Sequence, residues 1–460
     1  KWKFGLKTSQ LQKLNKEIIK KKNIKGALLF FALLFYTFSF SQNEKKPKDL
    51  SKIVKTWAQP DVYPDHVVLS VAEDPTTAIG INWRTSPTDK IGYVEIAVSY
   101  GTPYFATRSQ RIKAKKINYD TSINLDDGFE SSFYGITIKD LKPNTLYAYR
   151  VGNDLFKSEW FQFKTAGNPK KEPYSFIYVG DAQNYILELW SRLIRTAFKT
   201  MPEAKFIIHA GDLVNYAHSE TEWNDWFDAG GFIHSEIPTI AIPGNHEYSP
   251  YRKGRNVFGE KQFLSMQWQR QFSFPENGPK KLKETCYFID YPDLKVIALN
   301  SNLEIKLQSK WLKNVLAQNN KKWIVVTYHH PAFSASRKEG NEEIVKYWKP
   351  LFEEYNVDLA LQGHDHAYTR GAVYTKELKS EYLKGPVYVV SVSGGKMYKL
   401  SSEGWDKYGA IKNKKGQYLQ LFQVITIDDN KLFYKSYTAS GKLFDNFELN
   451  KKEGKTQYLK

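Results

Sequence analysis

Five short segments of the chain carry side chains able to hold a metal ion, and each directly follows an apolar run suited to a β-strand. Gly180-Asp181 follows SFIYV, Gly211-Asp212 follows FIIHA, and Gly244-Asn245-His246-Glu247 follows TIAIP. His329-His330-Pro331 follows WIVVTY, and Gly363-His364-Asp365-His366 follows LALQ. Four of the five use glycine, which lets the backbone turn sharply and present the next side chain beyond the strand. One Gly-Asp after a strand is more often a turn than a ligand, and a single histidine more often packs or faces solvent. Five in order at strand ends point instead to one convergent site. Carboxylates, an amide and imidazoles without thiolate suit Fe, Mn or Zn better than soft ions. Two such ions about 3.5–4 Å apart can clamp the attacking and leaving oxygens of a phosphoryl group and lower the pKa of a bound water. A protein nucleophile is then unnecessary. No Gly-x-Ser-x-Gly elbow occurs, and the one cysteine, Cys286, sits in Thr-Cys-Tyr away from these segments.

The elements that must position these residues form a repeating pattern. Strands are predicted over 175–180, 205–209, 239–242, 295–300, 323–328, 358–361 and 386–392. Helical stripes lie between them, as in Ile186, Leu187, Trp190, Leu193, Ile194, Ala197 and Phe198. Strands alternating with helices imply one largely parallel or mixed sheet covered by helices, with its site beyond the strands' carboxyl ends. Upstream, residues 62–166 read as short alternating strands separated by turns such as Lys142-Pro143-Asn144, a pattern that fits an Ig-like β-sandwich. That region shows no special pair of titratable groups and reads as a packing or spacing module. Residues 42–61 and 166–173 read as linkers, 174–450 as the α/β domain and 451–460 as a polar tail.

The chain has 460 residues, 41% hydrophobic and 25% charged, enough for a sizeable core and too many for one ordinary domain. Its net charge is +18, of which nine Lys against one Glu in residues 1–25 contribute +8. The remaining +10 is scattered, with no basic stripe interleaved with aromatics, so a nucleic-acid partner is not expected. That remainder reads first as a solvated surface and second as attraction for anionic substrates. The Lys-rich start, the apolar run Ala27–Phe40 and the small residues around Ser41 read as an export signal over residues 1–41, leading to a periplasmic, cell-surface or secreted location. The apolar run is short for a bilayer span, so no stable membrane anchor is expected after signal removal.

The order GD, GD, GNHE, HHP, GHDH resembles the calcineurin-like metallophosphoesterases. An Ig-like domain in front, with GNHE and GHDHAYTR, makes the chain most similar to the purple acid phosphatases, over roughly residues 62–445. The resemblance implies an N-terminal fibronectin III-like or Ig-like sandwich followed by an α/β domain built as a β-sandwich of mixed sheets flanked by helices. It implies an acid-phosphatase-like hydrolase in which two metal ions activate a hydroxide that attacks a small-molecule phosphomonoester. A phosphodiester or nucleotide is the same-chemistry alternative, and a non-catalytic surface binding protein the alternative of another class. Carried over by position, Asp181 and His366 would hold the first ion, Asp212 would bridge, and Asn245, His329 and His364 would hold the second. His246 would assist the leaving oxygen, a role an imidazole fixed beside a ligand can fill near neutral pH. Two positions depart from the purple enzymes. Their metal-binding tyrosine is replaced by Asn215, with Tyr216 one residue later, and their glycine after the first aspartate is replaced by Gln183, either a weak carbonyl ligand or a lining residue. His330 and Arg370 are further candidates to line the site and contact phosphate, Arg370 alternatively forming a structural ion pair.

Overall fold

The computed structural model describes residues 58–459 apart from 88–89, 118–129, 168–171, 249–262, 375–381, 402, 404 and 453. The expected export segment and nearly all of the first linker lie outside these residues. Two sheets build the α/β part. One centres on three parallel strands, Tyr174–Val179, Ile207–His209 and Thr239–Ala241. The other centres on four, Leu294–Ala298, Trp323–Tyr328, Leu359–Gln362 and Val387–Val390, also parallel. The side-chain alternation of each strand decides which layer it joins. Val325, Leu359, Leu361, Val387 and Val389 face the first sheet and share its core with Phe176, Ile177 and Ile208. Their neighbours Val326, Ala360 and Tyr388 face outward and pack under the helices Ile305–Ala317, Glu342–Tyr347 and Lys349–Glu354, against Leu312, Trp348 and Phe352. Strands buried on both faces explain why they read as unbroken apolar runs. The expectation of one sheet is therefore corrected to two, face to face, which agrees with the architecture the family resemblance implies.

The N-terminal sandwich is present, with sheets Asp65–Val71, Ile79–Thr85, Ser132–Ile138, Lys115–Ile117 against Gln110–Lys113, Tyr93–Val98, Leu146–Gly152, Phe161–Lys164. Its core joins Leu69, Ile81, Trp83 and Tyr134 to Val94, Tyr149 and Phe163. It is more than a spacer. Ser70 pairs in parallel with Thr239, so its first sheet continues into the strand that leads to Asn245, giving one sheet of eleven strands. The junction also buries charge: Arg84 of the sandwich pairs with Asp65 at 2.6 Å and with the fully buried Glu220 at 3.4 Å. Removing Arg84 would leave the buried Glu220 with the more distant Arg270, at 3.7 Å, as its ion-pair partner among the described residues, at a cost of up to about 3–5 kcal/mol.

At the other edge a meander of Leu421–Asp428, Lys431–Thr438, Leu443–Lys452 and Lys455–Leu459 continues the same sheet. Residues 451–460, expected as a polar tail, thus carry its outermost strand; a polar edge strand with few apolar residues has little to distinguish it from coil. Among the described residues no helix is long and apolar enough to cross a membrane.

Candidate metal centre

The first sheet supplies the acids. Asp181, Asp212 and Asn245 stand just past its three parallel strands, and Asp181 and Asp212 are fully buried. Asp212 has φ 52°, a left-handed conformation that a non-glycine residue adopts at a cost and that the surroundings must enforce. Glu247 does much of this. Its buried carboxylate accepts the backbone N–H of Asp212 (2.9 Å), Leu213 (2.9 Å) and Gly244 (2.7 Å), tying the GNHE loop to the GD loop. Gly244 is needed because a Cβ there would lie 2.1 Å from Asp212 Oδ1. The His246 N–H donates to that same oxygen at 2.9 Å, and His246 Nδ1 lies 2.8 Å from the Asn215 carbonyl. With Nδ1–H donated there, Nε2 is turned to the site, 3.9 Å from Asp212 Oδ2. His246 keeps 24% of its side chain exposed, as a group that meets substrate requires.

The second sheet supplies the imidazoles. His329 follows Trp323–Tyr328, and His364 and His366 follow Leu359–Gln362. Backbone carbonyls orient two of them: His329 Nδ1 bonds Ala210 O and His366 Nδ1 bonds Lys396 O, both at 2.8 Å, which leaves Nε2 of each for a metal. His364 has φ 71°, and its N–H donates to Asp181 Oδ1 at 2.8 Å across the sandwich. Gly363 permits that approach, since a Cβ would stand 2.3 Å from the same oxygen. Asp365, between the two histidines, plays the part that Glu247 plays opposite. Its carboxylate accepts the Ala335 N–H at 2.6 Å, the Ser336 N–H at 3.2 Å and the Ser334 hydroxyl, and so anchors the loop after His329-His330-Pro331.

The two sets of donors meet in one place. Asp212 Oδ2 lies 3.2 Å from His329 Nε2, and Asp181 Oδ2 lies 3.3 Å from His366 Nε2. Asn245 Oδ1 lies 3.2 Å from His329 Nε2 and 2.9 Å from His364 Nδ1. Ligand atoms of Asp181, Asp212 and His329 all fall within 4.8 Å of one another, as do those of His329, His330 and His364. Burial, with the Asp212 charge adding, pushes Asp181 up to about 7. Burial would raise Asp212 too, but the His329 and His246 charges hold it below the usual carboxylate range. Burial lowers His366 to about 4 and His330 to about 3, and it depresses His364 as well, with His329, His330 and Arg337 adding to that effect. His329 goes the other way: against burial, the Asp212 and Asp181 charges raise it to about 9, the proton standing where a cation would satisfy the same carboxylates. Asp181 Oδ2, buried and without a hydrogen-bond partner among the described residues, supports that fit.

Gln183 belongs to the centre. It is buried, its Nε2 donates to Asp212 Oδ2 at 2.7 Å and lies 3.2 Å from His366 Nε2, and its Oε1 has no described partner. His330 also reaches it: its ring stands 4.4 Å from that of His364, with Nδ1 2.9 Å from Ser301 Oγ. Asn215 contributes its backbone rather than its side chain, through the carbonyl that holds His246. Tyr216 is about half exposed, and its N–H is spent on Glu222 at 2.8 Å. Arg370 is corrected. It forms a two-pronged pair with Asp445 at 2.7 and 3.0 Å and donates to Tyr458 Oη, so its guanidinium ties a strand of the second sheet to the meander of the first instead of clamping phosphate. Asp445 lies in a strand the sequence pattern did not distinguish, which hid the partner.

Three positioning features escaped the sequence reading. Glu247 and Asp365 were visible as letters inside the motifs, and their spacing beside ligands was the available signal. The loop after Val387–Val390 was not considered. There Ser393 Oγ bonds the Gly180 carbonyl, Gly394 N donates to Asp181 O at 2.7 Å, and Tyr398 N donates to His366 O at 2.8 Å. Gly394-Gly395 just past a buried strand was the signal.

Residues 166–368 match the calcineurin-like phosphoesterase family, and residues 64–165 match the purple acid phosphatase N-terminal domain. The chain is 26% identical over 313 residues to purple acid phosphatase 23 of Arabidopsis thaliana, covering 60% of this chain and 65% of that one. It is 23% identical over 406 residues to purple acid phosphatase 18 of the same plant, covering 83% and 85%. Among solved structures, the purple acid phosphatase PPD1 from yellow lupin (Lupinus luteus) seeds shares the fold with a TM-score of 0.72 at 18% identity, covering 85% of this chain and 75% of that one.

Proposed function

We propose that the chain, whose residues 166–368 match the calcineurin-like phosphoesterase family and 64–165 the purple acid phosphatase N-terminal domain, is an exported, two-metal phosphomonoesterase. The observation that carries this reading is the meeting of acid and imidazole donors from two sheets around buried, unsatisfied Asp181 Oδ2. Asp181 and His366 would hold the first ion, Asn245, His329 and His364 the second, and Asp212, with Oδ2 3.2 Å from His329 Nε2, would serve both. Fe, Zn and Mn all suit this mixed oxygen and nitrogen set. Metal ions bound there would supply polarisation of the phosphoryl oxygens and a lowered pKa for bound water. His246 donates a proton from Nε2 to the departing alcohol oxygen, with Asn215 O fixing its ring through Nδ1. Glu247 and Asp365 hold the loops so that little reorganisation accompanies substrate binding. The Lys-rich and apolar start of the sequence supports export.

The test removes metal with a chelator, restores it, and compares turnover of an aryl phosphate with that of a bis-aryl phosphate. Loss and recovery with preference for the monoester supports the proposal. A preference for the diester moves the substrate class to phosphodiesters at the same site. A rate indifferent to chelation removes the metal-dependent reading. A chain that holds metal yet turns over neither ester is the non-catalytic binding protein, a reading that the full set of donors and His246 disfavour.

A further inference from the structure

Building on that reading, we propose that Lys396, aided by Arg337, binds a second phosphate group, so that the preferred substrate is a phosphomonoester carrying another phosphate. Both residues contact the same tripeptide of the centre, His364-Asp365-His366, Lys396 through its carbonyl on His366 and Arg337 through its guanidinium on Asp365. On one side, the loop that carries Lys396 is pinned at three points: Ser393 to the Gly180 carbonyl, Gly394 N to Asp181 O at 2.7 Å and Tyr398 N to His366 O at 2.8 Å. The Lys396 carbonyl itself holds His366 Nδ1 at 2.8 Å, so the origin of its side chain is fixed directly beside a ligand. The Tyr398 ring lies 4.7 Å from the His366 ring, and the Lys396 ammonium stands 5.6 Å from the Tyr398 ring centre. Tyr398 therefore separates ligand from cation by about one aromatic ring. Lys396 is half-buried, and no carboxylate among the described residues pairs with it. On the other side, Arg337 spends one nitrogen on Asp365 Oδ1 at 3.3 Å, leaves 45% of its side chain exposed, and follows the loop that Asp365 anchors. Among the described residues no other acid forms an ion pair with it.

A half-buried ammonium next to a place for two cations works against loading them. That cost is offset when the ligand brings more negative charge than the reacting phosphoryl group alone. A second phosphate meets this need: it is dianionic near neutral pH, and an ammonium and a partly exposed guanidinium are its usual donors. The scattered positive charge of the chain outside residues 1–25 favours the same polyanionic class.

The experiment uses the metal-loaded full chain and compares it with Lys396→Gln, Lys396→Arg and Arg337→Gln. Substrates are an aryl phosphate and a sugar bisphosphate; competitive inhibitors are orthophosphate and pyrophosphate. Metal content of each variant reports whether the centre is intact. The expected result is that the wild type prefers the bisphosphate in kcat/KM, and that Lys396→Gln loses about tenfold more on the bisphosphate than on the aryl phosphate, through KM. Pyrophosphate inhibition weakens in parallel, Lys396→Arg restores most of the difference, and Arg337→Gln shows a smaller loss of the same kind. Equal losses on both substrates, a loss confined to kcat, or no preference in the wild type overturns the inference while leaving the phosphomonoesterase reading in place. Absence of metal-dependent aryl phosphate turnover in the wild type instead overturns that reading, and this inference with it.

Discussion

The half of the centre on the first sheet and the half on the second are built alike and filled differently. Each has ligands at the ends of parallel strands, one residue forced into the left-handed region, Asp212 or His364, and one buried carboxylate that gathers neighbouring N–H groups, Glu247 or Asp365. The first half holds two acids and an amide, the second three imidazoles. Alone, the acids repel, as the rise of Asp181 to about 7 under burial and Asp212 registers; burial depresses His364 and His366, while His329 is raised to about 9 because the Asp212 and Asp181 charges outweigh its burial. Only the pair offers a full donor set. The lesson is that the scaffold repeats one positioning device, and the chemistry comes from pairing unlike contents.

The sharpest way to break this comparison is to remove the residue that both halves share. Asp212→Asn should lose both ions and at least about a thousandfold in kcat/KM, whereas His364→Ala, on one half, should still retain one ion per chain. Elemental analysis with kinetics checks this, and equal metal loss in the two variants would deny Asp212 its special place. Next in size is His246→Ala, expected to keep its metals while kcat falls about 10²–10⁴-fold, as loss of a proton donor does. Unchanged kcat in that variant would transfer proton delivery to another group. Third, Glu247→Gln should weaken metal binding about 10–100-fold, with Asp365→Asn affected less because the Arg337 N–H bond to Ser334 Oγ braces its loop independently of Asp365. Competition with a chelating dye measures both, and the reverse order would mean that the second loop is the more dependent one.

The smallest effect concerns acid. His209 and His234 are buried behind the first half, His234 stacked on Trp226 with ring centres 3.9 Å apart, and burial lowers His234 to about 4 and His209 well below its ordinary value. An imidazole so depressed contributes stability that is complete above about 6.5, is lost progressively as pH falls below that, and is gone by about 4. His234 alone should contribute a loss of about 2 kcal/mol between pH 7 and pH 5 in urea unfolding of the metal-free chain, so the pH slope of stability should be shallower by about that amount in His234→Gln. A parallel slope in that variant would assign the acid sensitivity elsewhere.

Much of this was legible in the order of residues. The apolar strands ending in Asp181, Asp212, Asn245, His329 and His364 were visible because strands buried on both faces read as continuous runs, and the six donors named from the motifs do meet in one place. The division into two sheets was not visible from those runs, because an apolar strand reads the same whichever sheet it joins. The meander after residue 420 escaped because its strands alternate with lysines, as in Lys431–Thr438, and the role of Arg370 escaped with it. The Ser70–Thr239 pairing that fuses sandwich and α/β part is a contact between remote segments that no local pattern encodes. Lys396 gave no signal by type or spacing; it acquires meaning only when its carbonyl is found on His366.

The most direct measurement is anomalous diffraction from crystals of the metal-loaded chain. Two peaks about 3.5–4 Å apart are predicted, one within bonding distance of Asp181, Asp212 and His366 and the other of Asp212, Asn245, His329 and His364. A single peak, or peaks that leave Asp212 unbound, would contradict the account.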